Sequence, residues 1–298
     1  MNKLKCLVTG GAGFIGSNIA LELQAKGHEV TIADNLMSGA MSNLKDFSGE
    51  FLKLDISRPF ELSHKIDLII HQAAITDPRF DDDDEMMRAN IQGFEHIIKL
   101  AKKNDAKLVY ASTANLYGNG PVPMKESQEK EIISVYGKSK LEMDFMAEKL
   151  FDKMAIVGLR YFNVFGAGEQ HKGRAASMIY HLYNQMKEGK NPRLFKQGEQ
   201  KRDHIYIKDV VAATIKAADA KSGVYNVGTG LATSFNELVA VLNDVMGTNL
   251  EPEYFEMPYD PSTYQSDTQA DMSLAEKALD WKAQYGLKEG IKEAIGMY

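Results

Sequence analysis

The chain has 298 residues, of which 44% are hydrophobic and 26% are charged, and its formal net charge is −6. These values indicate a soluble globular protein with one large domain or two closely associated ones. The acidic balance argues against nucleic-acid binding, which needs a basic face, and no apolar run approaches the ~20 residues that span a bilayer.

The start of the chain and its cysteine content predict a cytoplasmic protein. The first predicted strand begins at Lys5, which leaves no room for a signal peptide. The single cysteine, Cys6, lies in that strand, so no internal disulfide can form, as is typical of a reducing compartment.

A glycine-rich turn separates the first predicted strand, which ends at Thr9, from the first predicted helix. Glycines let the backbone turn tightly and approach a pyrophosphate, and the free N–H groups of a helix N-terminus favour its charge. Because strand, turn and helix follow in the required order, the motif predicts a dinucleotide site. Its residues are Gly10, Gly11, Gly13, Phe14, Ile15 and Gly16.

Polar and small residues follow the next predicted strands. Asp34 and Asn35 come after the second strand, where a carboxylate accepts both adenine-ribose hydroxyls and repels a 2′-phosphate, so NAD is favoured over NADP. Asp55 and Ile56 follow the third strand and are expected to flank the adenine. After the strand 67–70, the small residues Ala73 and Ala74 would let the cofactor ribose lie close to the backbone.

Strands and helices alternate up to about Asn163, which predicts a doubly wound parallel α/β sheet. Two long helices are expected, at about 83–103 and 134–150. The acidic run 81–85 opens the first of them, where carboxylates favour the helix dipole, and it lacks the spacing of a metal site. We assign residues 1–163 to a dinucleotide-binding domain, to which the segment 203–228 returns, and residues 164–298 to a smaller α+β substrate-binding domain.

A tyrosine and a lysine four residues apart lie in the second long helix. Tyr136 and Lys140 share one face, so both point into the same cleft. A free tyrosine has a pKa of about 10, and a neighbouring ammonium and a positive nicotinamide ring would lower it. Thr113, just after the fifth strand, can hydrogen-bond to the same substrate hydroxyl. This set predicts hydride transfer at a carbinol carbon.

The segments TGGAGFIG, DNL, YASTANLYG, YGKSK and RYFNVFG occur in this order, and the chain resembles the extended short-chain dehydrogenase/reductases that act on nucleotide sugars. The resemblance covers essentially the whole chain. It implies a tightly held NAD or NADP and a homo-oligomer formed through the two long helices. It also implies that Thr113, Tyr136 and Lys140 are catalytic, that Asn90 lies near the cofactor, and that Asn163 lies in the substrate site.

The residues after Thr113 favour epimerisation over dehydration. Dehydratases of this family carry an acidic pair there, whereas this chain has Ala114 and Asn115. Loss of water therefore lacks its acid and its base. Epimerisation needs only removal of a hydride, rotation of the keto intermediate, and return of the hydride to the opposite face.

The second half is similar to the ADP-glyceromanno-heptose 6-epimerases in FGAGEQHKGRAASMIYHL, PRLFKQGEQKRDHIYIKDV and YQSDTQAD. This resemblance implies that Lys172 is a second acid–base group, which suits a rotated ketone whose oxygen points away from Tyr136. The basic residues of this half, Arg174 among them, suit a diphosphate. By the resemblance, substrate contacts are also expected from His181, Arg202 and Tyr264. Met41 stands near the place of a lysine that meets the NADP phosphate, which again favours NAD.

Three other functions remain open from the sequence: a UDP-sugar 4-epimerase, a non-catalytic regulator and a net oxidoreductase. A UDP-sugar 4-epimerase, of the UDP-glucose/galactose or UDP-glucuronate type, would use the same Tyr136 chemistry at a different carbon. A non-catalytic regulator could bind a dinucleotide on the same fold, although the intact catalytic set argues against it. A net oxidoreductase would consume added NAD, whereas an epimerase recycles it.

Overall fold

The structure, a computed structural model, describes residues 3–77, 80–258, 260 and 264–298. No helix within these ranges is both long enough and apolar enough to cross a bilayer. The strands are β1 (Lys5–Thr9), β2 (Glu29–Asp34), β3 (Glu50–Lys53), β4 (Leu68–His71), β5 (Lys107–Thr113), β6 (Ile156–Tyr161), β7 (Asn163–Phe165), β8 (Arg193–Phe195), β9 (Lys201–Tyr206), β10 (Gly223–Val227), β11 (Ala232–Ser234) and β12 (Glu253–Phe255).

The α-helices lie between strands along the chain, except that the last two follow one another directly. They are α1 (Phe14–Ala25), α2 (Asp83–Asn104), α3 (Val135–Glu148), α4 (Met178–Lys187), α5 (Ile207–Ala217), α6 (Phe235–Met246), α7 (Ser273–Leu279) and α8 (Leu287–Ile295). Asp82 caps α2 by accepting a hydrogen bond of 2.8 Å from Glu85 N. The acidic run therefore forms the start of a helix, as predicted.

Seven parallel strands form the central sheet, in the order β10-β6-β5-β4-β1-β2-β3. The order reverses next to β1, and this confirms the predicted doubly wound sheet. Helices α1 and α5 cover one face, with Ile19 and Val210 in that core. Helices α2 and α3 cover the other face, with Phe94 and Met143 in its core.

Two smaller sheets lie in the second half of the chain. Strand β9 pairs in parallel with β7 and antiparallel with β11, and β8 pairs with β12. The segment 203–228, predicted to return to the first domain, is divided between the sheets. Strand β9 stays in the three-stranded sheet, whereas α5 packs on α1 and β10 extends the central sheet beside β6. The proposed domain boundary at Asn163 stays a prediction.

A buried ion pair joins α3 to the central sheet. The Arg160 guanidinium donates two hydrogen bonds to the same Asp144 oxygen at 2.9 and 3.0 Å, and both side chains are almost fully buried. Asp144 also accepts from the Tyr110 hydroxyl at 2.9 Å, and Arg160 donates to the Tyr117 hydroxyl at 2.9 Å. Tyr117 in turn donates to Asn226 on β10 at 2.7 Å. This network links α3 to strands β5, β6 and β10.

We expect Arg160→Met to lower the free energy of unfolding by about 3–5 kcal/mol, because it leaves the Asp144 carboxylate buried without its cation. The matched control is Lys107→Met, which breaks an exposed pair with Asp219 at 2.6 Å and should cost no more than ~1 kcal/mol. Urea unfolding of both variants measures the difference. Equal losses would contradict a structural role for the buried pair.

Candidate active site

A cavity of about 1000 Å³ lies at the carboxyl ends of the central strands and extends to the smaller sheets. Ligands of doubly wound sheets bind at this edge, where the strand order reverses. Most of the residues predicted for the site line it. They are Gly10, Gly13, Phe14, Ile15, Gly16, Asp34, Asn35, Asp55, Ile56, Ala73, Ala74, Asn90, Thr113, Tyr136, Lys140, Asn163, Lys172, Arg202 and Tyr264.

The glycine turn has no room for side chains at its critical positions. Gly10 has a φ of +67°, and a Cβ on it would lie 2.6 Å from Ala73 N. A Cβ on Gly16 would lie 2.1 Å from the Gly10 carbonyl oxygen. A Cβ on Gly11 would lie 2.6 Å from the Ile32 side chain, and Gly11 does not line the cavity. Helix α1 begins without a side-chain cap, and its first residues line the cavity, so its uncapped N-terminus suits a phosphate.

The carboxylate of Asp34 is fixed beside this turn. One oxygen accepts a hydrogen bond of 2.9 Å from Ala12 N, and the other accepts one of 2.8 Å from Leu36 N. Asp34 is buried and lines the cavity. Its remaining lone pairs can accept ribose hydroxyls.

Another part of the cavity wall is held by side chains that form hydrogen bonds with the backbone. Asn90 accepts from Ile75 N at 2.8 Å and donates to the Ile75 carbonyl and to the Ser139 hydroxyl. Asp55 accepts from the Ser57 N–H and hydroxyl. Asn90 therefore connects α2, α3 and the cavity wall, and its amide is already engaged.

The predicted catalytic group is assembled on α3 and at the end of β5. Ser134 caps α3, and the Lys140 ammonium lies 5.9 Å from the centroid of the Tyr136 ring. Lys140 Nζ donates to the Ala111 carbonyl at 2.9 Å, and Thr113 hydrogen-bonds to the Tyr136 hydroxyl. These contacts fix the phenol and the ammonium on one wall of the cavity.

Burial controls the pKa values of both groups. It raises the pKa of Tyr136 to about 12, and the hydrogen bond to Thr113 offsets only part of this rise. Burial also lowers the pKa of Lys140 to about 8, against the opposing effect of Asp144. The sequence predicted that Lys140 and a bound nicotinamide ring together lower the pKa of Tyr136. In the protein without cofactor desolvation raises this pKa instead, and the effect of the bound ring stays a prediction.

The loop that carries Lys172 is held by a buried carboxylate. Glu169 is fully buried and accepts from Gly166 N at 2.9 Å, Ser177 N at 2.6 Å, the Ser177 hydroxyl at 3.0 Å and the Tyr298 hydroxyl at 2.5 Å. Lys172 Nζ lies 5.5 Å from the Phe14 ring centroid. Burial lowers the pKa of Lys172, which favours its exchange of a proton.

The second-half residues divide into two groups. Asn163, Arg202 and Tyr264 line the cavity, and the Arg202 guanidinium lies 5.1 Å from the Tyr264 ring centroid. Arg174 and His181, in contrast, do not line it. Arg174 is exposed next to Gly173, whose φ is +51°, and the His181 ring lies 3.4 Å from the Arg174 carbonyl. The buried face of α4 consists instead of Ile179, Leu182, Tyr183 and Met186.

Several lining residues were not predicted from the sequence. His204 shares a face of β9 with Arg202, and this alternation could have indicated it. Others, at strand ends, helix starts, turns and loops, gave no local signal. They are Gln72, Asp77, Tyr161, His171, Met178, Phe195 and Phe235.

The fold and the site together define a dinucleotide-binding enzyme of the Rossmann type. The model of the NAD dependent epimerase/dehydratase family matches residues 6–228, and the chain belongs to this family. It is similar to the ADP-L-glycero-D-manno-heptose-6-epimerase of Brachyspira hyodysenteriae, with 36% identity over 96% of this chain and 95% of that one. The comparisons identify an NAD(P)-using epimerase.

Solved structures agree with this assignment. The ADP-L-glycero-D-manno-heptose-6-epimerase of Helicobacter pylori superimposes with a TM-score of 0.92 at 37% identity, over 99% of this chain and 96% of that one. The UDP-N-acetylglucosamine 4-epimerase of Methanobrevibacter ruminantium gives a TM-score of 0.90 at 28% identity, over 100% and 98% of the two chains.

Lys140→Met should change how stability depends on pH. The folded pKa of Lys140 is about 8 and the unfolded value is about 10.4, so the unfolded chain binds more protons between these values. Stability due to this residue therefore rises with pH across that window. We expect the gap in unfolding free energy between wild type and Lys140→Met to widen in favour of wild type from pH 8 to pH 10. The control is the exposed Lys138→Met, for which we expect the gap to stay constant with pH. A constant gap for Lys140→Met as well would contradict the lowered pKa of Lys140.

Proposed function

We propose that the protein epimerises C6 of an ADP-glyceromanno-heptose, without net oxidation. The relatives that share 35–37% identity with nearly the whole chain carry this activity in their names. The observation on which the proposal most depends is that Thr113, Tyr136, Lys140 and Lys172 all line one cavity with the glycine turn. A UDP-sugar 4-epimerase is the second candidate, because enzymes of that kind share the fold at 28% identity.

The residues present fit a dinucleotide. The glycine turn and the start of α1 would hold the diphosphate, Asp34 would hold the adenine ribose, and Lys140 would hold the nicotinamide ribose. When bound, the nicotinamide supplies a reversible hydride acceptor for the carbinol carbon. A Cβ on Gly39 would lie 3.0 Å from both Asp34 oxygens, so the space beside this carboxylate is small. That confinement and the negative charge support NAD over NADP.

Tyr136 acts as the base in the oxidation step. Its Oη takes the proton of the substrate hydroxyl, while the Thr113 hydroxyl orients the same oxygen. The phenolate is disfavoured by burial, so it needs positive charge beside it, which Lys140 and an oxidised nicotinamide ring supply. The same Oη returns a proton when the reaction runs backward.

Lys172 serves the second face of the keto sugar. It enters the cavity from a different element than Tyr136, on the loop held by Glu169. After the keto intermediate rotates, its oxygen faces away from the phenol, and the Lys172 ammonium donates the proton that restores the hydroxyl. The lowered pKa of Lys172 eases this transfer.

The surroundings of Thr113 support epimerisation rather than dehydration. Ala114 is buried, and the Asn115 side chain accepts a hydrogen bond of 2.5 Å from Ser134 at the start of α3. Neither position offers a carboxyl group for the elimination of water.

We expect the NAD-loaded protein to interconvert the C6 epimers of ADP-glyceromanno-heptose with no net formation of NADH. Proton NMR of separate incubations with this sugar, UDP-glucose and UDP-N-acetylglucosamine tests the substrate, and parallel loading with NADP tests the cofactor. Tyr136→Phe should lower the rate by about 10²-fold or more. The control is Tyr225→Phe, whose hydroxyl bonds to the Lys221 carbonyl outside the cavity. Turnover of a UDP-sugar alone would establish the second candidate.

Lys172→Met should lower epimerisation by about 10²-fold or more while the dissociation constant for NAD changes by less than about twofold, because this side chain acts on the intermediate. Reduced cofactor, followed by its absorbance, should then accumulate on addition of substrate. The exposed Lys190→Met is the matched control. If Lys172→Met weakens NAD binding and turnover equally, its role as second acid–base group is refuted.

A further inference from the structure

One histidine in the cavity wall has no role in the chemistry described above. His204 lies on β9, two residues after Arg202, so both side chains project from the same face of the strand. Both residues line the cavity. Asp203, between them, faces the other way and accepts hydrogen bonds from Thr229, Gly230 and Ala270 at 2.7–3.0 Å. These bonds fix the strand and therefore the direction of the imidazole.

Neither ring nitrogen of His204 has a hydrogen-bond partner among the described residues. The residue is only 6% exposed, so bulk water does not replace the missing partner. A neutral imidazole carries one donor and one acceptor, and leaving both buried and unpaired is unfavourable. Its packing neighbour is the Phe165 ring, whose centroid lies 6.4 Å away and offers no polar atom. A phenylalanine would fill this place without leaving polar ring atoms unpaired.

The charge state of His204 is set by its surroundings. Burial and the adjacent Arg202 guanidinium lower the pKa of His204 to about 3. The imidazole is therefore neutral in ordinary buffers and presents a single N–H donor. It recognises an acceptor by a directed hydrogen bond and adds no charge of its own.

The position along β9 indicates which part of a ligand lies near. Residues two apart on a strand are separated by about 6.6 Å, so His204 lies next to the Arg202 site. The Arg202 guanidinium lies over the rings of Phe235 and Tyr264, at 5.8 and 5.1 Å from their centroids. A cation beside aromatic rings suits the diphosphate and base of a nucleotide. The strand partner of His204 in β7 is Asn163, which also lines the cavity.

We propose that His204 contacts the substrate directly and donates a hydrogen bond to an oxygen of its nucleoside diphosphate portion, next to Arg202. This inference rests on the proposed function, since it requires a nucleotide sugar in the cavity. It adds a specificity residue to the site, and it explains why a buried histidine with no hydrogen-bond partner among the described residues lines the cavity. The side chain would lower the stability of the protein alone and strengthen the binding of its ligand.

The test compares His204→Phe, His204→Asn and His204→Gln in the presence of saturating NAD, which keeps the cofactor site filled. Asparagine places its amide N–H near Nδ1, and glutamine places one near Nε2. The matched control is His64→Phe, a histidine beside Thr31 and Glu50 that does not line the cavity. Calorimetric titration with ADP and with UDP gives the dissociation constants, and thermal unfolding without nucleotide gives the melting temperature.

His204→Phe should weaken binding of the preferred nucleoside diphosphate about tenfold or more, without lowering the melting temperature. Its KM for the nucleotide sugar should rise by a similar factor while kcat changes by less than about twofold. One of the two amide variants should recover most of the affinity and so identify the donating nitrogen.

Three results would refute the inference. Unchanged affinity in His204→Phe would show that the imidazole does not meet the ligand. A loss that neither amide variant recovers would assign the effect to packing. A wild-type protein that binds neither nucleoside diphosphate nor any nucleotide sugar would refute the proposed function and this inference with it. If the wild type binds and His204→Phe binds equally well, only the inference is refuted.

Discussion

The buried pair between Arg160 and Asp144 is the interaction on which the geometry of the site most depends. Helix α3 carries the phenol and the ammonium, yet its contacts with the sheet must survive the entry and exit of ligands. Asp144 lies one turn after Lys140 and holds the helix to β5 and β6 through a guanidinium and a tyrosine hydroxyl. Because a buried charge without its partner is costly, this pair stabilises the position of the helix on the sheet.

The cavity combines two kinds of environment that suit the two ligands of an epimerase. Its first part offers glycine backbone, helix N–H groups and the Asp34 carboxylate, which suit a dinucleotide. Its second part offers the Arg202 guanidinium on β9 beside the rings of Phe235 and Tyr264, which suit a nucleotide sugar. The predicted reacting groups line the same cavity. Burial there shifts the pKa values of Tyr136, Lys140 and Lys172, so each group depends on its neighbours for its working protonation state.

Local pattern was enough to predict much of the molecule. The strand–glycine–helix order, the acidic start of α2 and the spacing of Tyr136 and Lys140 are properties of short segments, whose geometry follows from backbone periodicity. The parallel sheet followed from the alternation of strands and helices. Thus the sequence by itself determined the fold class, the dinucleotide turn and the helix face that bears the phenol and the ammonium.

Only the tertiary structure decided what depends on distant pairing. It placed β9 in the three-stranded sheet, directed His204 into the cavity and left Arg174 and His181 outside its lining. It also brought the hydroxyl of Tyr298, the last residue given, to the Glu169 carboxylate. This hydrogen bond helps to hold the loop of Lys172. These outcomes depend on contacts between residues far apart in sequence. No local periodicity encodes such contacts, because they form only when separate elements pack together.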